Sequence, residues 1–215
     1  EGILFHHLLQ AQGDAYLLSS LLAFDTRALL ETFLAALQQV IDRHDILRSA
    51  VCWQGVSRPV QVVRRRAVLP VTAFVPQGGQ DVAAQLRAQA SQPRRMDVSR
   101  APLFSAQTVH DPAQQQWLLA LEIHHLVCDH ISMALVCDEI TQILDGNAAA
   151  LAAPVPYRNF IARTLRVPQS EHEAWFRARL ADITAAYSAF ARHGKAGRLR
   201  LQPGDPLIER PLLSQ

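Results

Sequence analysis

Residues 26–44, "TRALLETFLAALQQVIDRH", place Leu29, Phe33, Leu37 and Ile41 four apart, with Leu30, Leu34 and Val40 beside them. This period predicts a long amphipathic helix. The pattern then shifts to short apolar runs. Leu47 to Trp53 reads as a strand, and "PVQVV" (59–63) and "PVTAF" (70–74) read as two short ones. A modest helix follows over 81–90. Leu103 to His110 alternates, "DPAQQQ" (111–116) is turn-like, and "WLLALEI" (117–123) is apolar on both faces until Glu122. Residues 103–110 and 117–124 are therefore expected to pair, with the second strand inside the sheet. Helical period returns over 131–144 with Ile131, Leu135, Ile140 and Leu144, and then over 157–166 and 170–183. From 193 onward Gly, Pro and scattered charges suggest a tail, so the expected division is a domain over 1–190 and a tail or linker over 191–215. Strands and helices intermix, which predicts an α/β or α+β class with a mixed sheet flanked by helices.

Composition narrows the function classes. The chain has 215 residues, 49% of them hydrophobic, enough for a full core in one domain or one lobe of a larger unit. Net charge is +2 with the basic residues scattered, which does not support a nucleic-acid partner; Arg64-Arg65-Arg66 reads as a solvated turn. The three cysteines, Cys52, Cys128 and Cys137, have no metal or redox spacing, and the odd count suits a reducing cytoplasm. No apolar run approaches the ~20 residues of a membrane span. The first residues lack the basic start and cleavage site of a signal peptide, and Glu1 suggests a cut within a longer polypeptide.

The chemistry concentrates in "EIHHLVCDHIS" (122–132), where a buried strand gives way to a helix. Adjacent side chains on an extended chain point to opposite faces, so His124 and His125 are expected to do different work. One braces the loop. The other faces a cleft, where a histidine is a natural general base near neutral pH. Asp129 either bonds to that histidine or pairs with an arginine elsewhere, and it lies where a helix dipole favours a carboxylate. His125, Asp129 and His130 are zinc-compatible types, but the only second candidate pair is His6-His7, and no closed four-ligand set emerges. The expectation is no metal.

"HHLVCDH" (124–130) resembles the HHxxxDG signature of nonribosomal peptide synthetase condensation domains, in the chloramphenicol-acetyltransferase-like superfamily. "MDVSRAPLFSAQTV" (96–109) resembles the segment preceding that signature, and "IDRHDILRSAV" (41–51) resembles the family's RHxxLRTxF motif. "EGILFHHLL" (1–9) resembles the "LQEGMLFH" opening with its first residues missing. "VPYRNFIAR" (155–163) and "EHEAWFRARLADI" (171–183) resemble the two helical stretches that follow. The resemblance covers residues 1 to about 183, the first of the family's two lobes.

It implies a chloramphenicol-acetyltransferase-like half-fold and partners: aminoacyl or peptidyl carrier proteins, whose phosphopantetheine arms bring the substrates, and neighbouring synthetase domains in the same polypeptide. The chain itself is expected to bind no cofactor. His125 matches the histidine usually given the catalytic role, His124 the one usually structural, and Asp129 an aspartate that mostly pairs with an arginine. Arg43 and Arg48 are the candidate partners. His130 stands where the signature has glycine, which narrows the space or adds a second titratable group, and it is a second catalytic candidate. Three functions stand open. Half length favours modification of one tethered residue, for example dehydration by β-elimination. The alternatives are a fragment of an ordinary peptide-bond-forming domain, and a non-catalytic carrier-docking module.

Overall fold

The computed structural model describes residues 2–10, 12–78 and 81–181. The chain divides into two units, residues 1–164 and 165–215. The expected 190/191 boundary lies outside the described residues.

The first unit opens with helix α1 (Gly2–Leu9), strand β1 (Leu17–Phe24) and helix α2 (Arg27–Arg43). β2 (Ser49–Cys52), β3 (Val60–Val63), β4 (Val71–Ala73) and α3 (Val82–Ala90) follow. β5 (Phe104–Asp111), β6 (Gln116–His124), α4 (His130–Leu144) and α5 (Tyr157–Thr164) complete it. In the second unit, α6 (Gln169–Arg179) carries a Gln169–Glu173 side-chain bond of 3.0 Å along one face.

α2 begins where the sequence expects it. Thr26 is extended, and its hydroxyl accepts the Leu29 N–H at 3.2 Å, closing one of the free donors of the first turn. Its buried side is Leu30, Ala36, Leu37, Val40 and Ile41, while Leu29 is half exposed. The strand expected from Leu47 starts at Ser49, because Ile46–Arg48 forms a 3₁₀ turn.

Four strands make a mixed sheet in the order β1-β6-β5-β4, with β6 antiparallel to both neighbours and β4 parallel to β5; β2 and β3 form a separate antiparallel pair. β6 is thus the inner strand that its two-sided apolarity predicts. Its odd positions, Leu119, Leu121 and Ile123, join Leu37, Val40 and Ile41 of α2 and Val136 and Ile140 of α4 in the main core. On the other face Leu118 meets Val109 of β5 and Val82 and Leu86 of α3.

Of the apolar row expected in α4 at Ile131, Leu135, Ile140 and Leu144, only Ile140 is buried, together with Val136, and the other three are exposed. The helix has apolar residues on most of its circumference, so period alone does not select the row that packs.

Candidate functional site

Toward its C-terminal end, the α3-side face of β6 turns polar. Glu122 stands in register with Ser19 of β1 and Ser105 of β5. Its carboxylate accepts Ser105 Oγ at 2.9 Å and Ser19 Oγ at 3.5 Å, and it pairs with Arg94. A carboxylate on an inner strand is tolerated only with partners of this kind. A cavity of about 460 Å³ opens beside it, and neither His124 nor His125 is among its lining residues.

Two residues on, His124 is fully buried. Its Nδ1 accepts the Leu126 N–H at 3.0 Å. Its Nε2 lies 3.1 Å from Asp14 Oδ2, within ion-pair range but off the line of a straight hydrogen bond. His7 Nδ1 approaches the same oxygen at 3.0 Å, and the two imidazoles meet edge to face with centroids 5.4 Å apart. Asp14 Oδ1 accepts the Tyr16 N–H at 3.1 Å. Burial lowers the pKa of His124 below its ordinary value, outweighing the attraction of Asp14.

His7, Asp14 and His124 bring three metal-capable atoms within 4.8 Å of one another. The hydrogen bonds do not suit a cation. A neutral ring whose Nδ1 accepts an N–H keeps its proton on Nε2, the atom a metal would need. The geometry is that of a buried carboxylate bridging two histidines.

His125 differs from its neighbour. Its backbone N–H donates to Tyr16 O at 2.8 Å, the side chain is half-buried, and among the described residues nothing hydrogen-bonds its imidazole. Tyr16 OH in turn meets His6 Nδ1 at 2.7 Å.

The ion pair expected between Asp129 and Arg43 or Arg48 is not formed. Asp129 is exposed and caps α4, its Oδ1 accepting Ser132 N–H at 2.8 Å, and that bond lowers its pKa. Arg43 instead donates to Glu139 at 3.1 Å and to Ala152 O at 2.8 Å. Burial works against the Glu139 charge, but Arg43 and His44 together hold its pKa below the usual value. Arg48 spends its guanidinium on the carbonyls of Arg64 and Arg65. Each arginine thus finds acceptors on its own side of the fold, while Asp129 sits where a helix start offers it backbone donors. His130 is exposed in the first turn of α4. The Cys128 thiol, between these residues, is pushed up to about 11 by burial and by Asp129, which leaves it a protonated core group.

Asp14 and Tyr16 were not foreseen as site members, and His7 was weighed only with His6 as a second candidate pair of metal ligands. The signal present in the sequence was a histidine inside the short apolar run of α1, a position that needs a buried polar partner.

A family model described as the condensation domain matches residues 1–182, and the chain belongs to that family. Malpinin synthetase of Mortierella alpina is 43% identical over 186 residues, which are 85% of this chain and 2% of that protein. The crystal structure of the starter condensation domain of rhizomide synthetase superposes with a TM-score of 0.63 at 21% identity, over 86% of this chain and 46% of that one. The fold is therefore the chloramphenicol-acetyltransferase-like one implied by the motifs, and this chain spans less than half of that solved domain's chain. A stretch of 37 residues is 76% identical to penicillin-binding protein 1C of Escherichia coli (strain K12), 17% of this chain and 5% of that protein. No helix among the described residues is long and apolar enough to cross a membrane.

Proposed function

We propose that the chain is the histidine-bearing lobe of a nonribosomal peptide synthetase condensation-type domain, acting on aminoacyl thioesters held on the phosphopantetheine arms of carrier proteins. The observation that carries this reading is the contrast between the two adjacent histidines. His124 is fully buried, its Nδ1 accepting the Leu126 N–H and its Nε2 3.1 Å from the Asp14 carboxylate. His125 is fixed through its main chain while its ring stays free of hydrogen bonds among the described residues. A free imidazole on an anchored turn is what a general base requires. In peptide-bond formation His125 accepts the proton of the acceptor amine as its nitrogen attacks the thioester carbonyl, and the pantetheine thiol leaves. General-base help supplies about 10²–10⁴-fold, and positioning must supply the rest.

Modification of a single tethered residue is the second reading, favoured by His130 standing where the family signature has glycine. There His125 removes the α-proton, the β-substituent departs, and His130 protonates it. Intact-protein mass spectrometry separates the two readings. A carrier loaded with a β-substituted aminoacyl group is incubated with this chain, with and without a second carrier bearing an amine. Loss of the β-substituent without the second carrier supports modification. A peptide bond formed only with it supports condensation. Either product should vanish in His125→Ala, and a product that persists there rules out His125 as the base. A loaded carrier that binds the chain but stays unchanged in both arms favours a docking module.

A further inference from the structure

We infer that Asp14 is the positioning residue of the candidate site: its carboxylate sets the tautomer of His124, and its short segment holds the main chain from which His125 projects. The role proposed for His125 rests on the reading above; the tautomer does not.

The inference follows from counting donors around one buried carboxylate. Asp14 has a fully buried side chain and faces three nitrogens. Oδ1 takes Tyr16 N–H, and Oδ2 faces both His7 Nδ1 and His124 Nε2. A carboxylate accepts at both oxygens, so every group facing it is best matched as a donor. For His124 this is a single demand, a proton on Nε2. Leu126 makes the same demand from the other side, because its N–H needs a lone pair on Nδ1. The two contacts agree, and neither can be met by the other tautomer.

The segment then reaches the next residue. Tyr16, whose N–H Asp14 holds, presents its carbonyl to His125 N–H at 2.8 Å. Leu17, the following residue, stands opposite His124 in the β1–β6 register. Residues 14–17 therefore hold both histidines, one by its ring and one by its backbone. Arg95 ties down the preceding part by donating to His7 O at 2.6 Å.

The test is Asp14→Asn in the full chain. The amide has the same shape but carries one oxygen and one NH₂. Whichever way it turns, the NH₂ meets either Tyr16 N–H or the two imidazoles. Long-range ¹H–¹⁵N spectra of histidine-labelled protein read the tautomer directly. In the parent chain His124 should be neutral with its proton on Nε2 across the neutral range. In Asp14→Asn it should lose that fixed tautomer, its proton shifting toward Nδ1, and the His125 signals should shift with it. With a loaded carrier as substrate, kcat should fall on the order of 10²-fold, the loss typical of a misplaced catalytic group, with KM little changed. A parent His124 protonated on Nδ1 overturns the proposal whether or not the variant folds. So does a variant with parent-like His124 and His125 spectra, or one with an altered His124 and an unchanged kcat. A parent chain without activity counts against His125 as a base, and the tautomer spectra still decide what Asp14 does.

Discussion

His7 of α1 and His124 of β6 approach one carboxylate oxygen of Asp14, at 3.0 and 3.1 Å, from elements far apart in the sequence. A helix that opens the fold and a strand near the signature loop thus share a single buried acceptor. The stability of the loop is tied to that meeting, and so is its dependence on pH.

His124 is held neutral by burial, with its pKa below the ordinary histidine value of 6.5. On unfolding it recovers that value and takes up a proton, so the unfolded state binds more protons and stability rises with pH. The penalty appears as pH falls below about 6.5. Melting curves at pH 7.5 and 5.5 should show a larger loss for the parent than for His124→Asn, which retains an acceptor for Leu126 but has no titrating group. Equal losses would remove His124 from the account.

Asp129 acts as a helix cap, so its loss should shorten α4 rather than strand a cation. Asp129→Ala should lower the melting temperature, and Asp129→Ser should restore most of it, because serine accepts the same backbone N–H. A serine variant as unstable as the alanine variant would point back to an ion-pair role.

Glu122 and Arg94 are a different case, since the carboxylate lies on an inner strand. Glu122→Ala should cost about 3 kcal/mol in denaturant unfolding, the low end for a buried pair because the Arg94 side chain keeps 29% of its exposure. The double change Glu122→Leu with Arg94→Leu should recover most of that loss. A double variant no better than the single would show that the serine bonds, not the arginine, set the cost.

Leu119 is fully buried between the sheet and α2. Leu119→Ala should cost about 2–5 kcal/mol, set by how far the site can collapse. The same change at exposed Leu135 should be close to neutral, which urea melts of both variants would check.

Much of the fold was legible because strands and helices with one clear period follow local rules. α2, α3, β5 and β6 lie within a residue or so of where the pattern puts them. α1 and β1 were not assigned, since "LLSSLLAF" is too uniformly apolar and too short to choose between states. The outward row of α4 was misplaced for a related reason, the breadth of its apolar surface. At the site, the different environments of His124 and His125 follow from their adjacency at a strand end. The pairing of Asp129 did not follow, because a cap needs only its own helix whereas an ion pair needs a partner placed by the whole fold. His7 and Asp14 were hidden by distance in sequence: nothing in local pattern shows that a helix at residues 2–9 comes to rest beside residue 124.

That distance also bears on how the site is completed. The segment at residues 14–17 meets the end of β6 only by closing a long loop of chain, so the imidazole of His124 acquires its surroundings only once that long-range pairing forms. A histidine whose proton settles on one nitrogen only in the finished fold is then a built-in reporter of maturation, readable long before any substrate is offered.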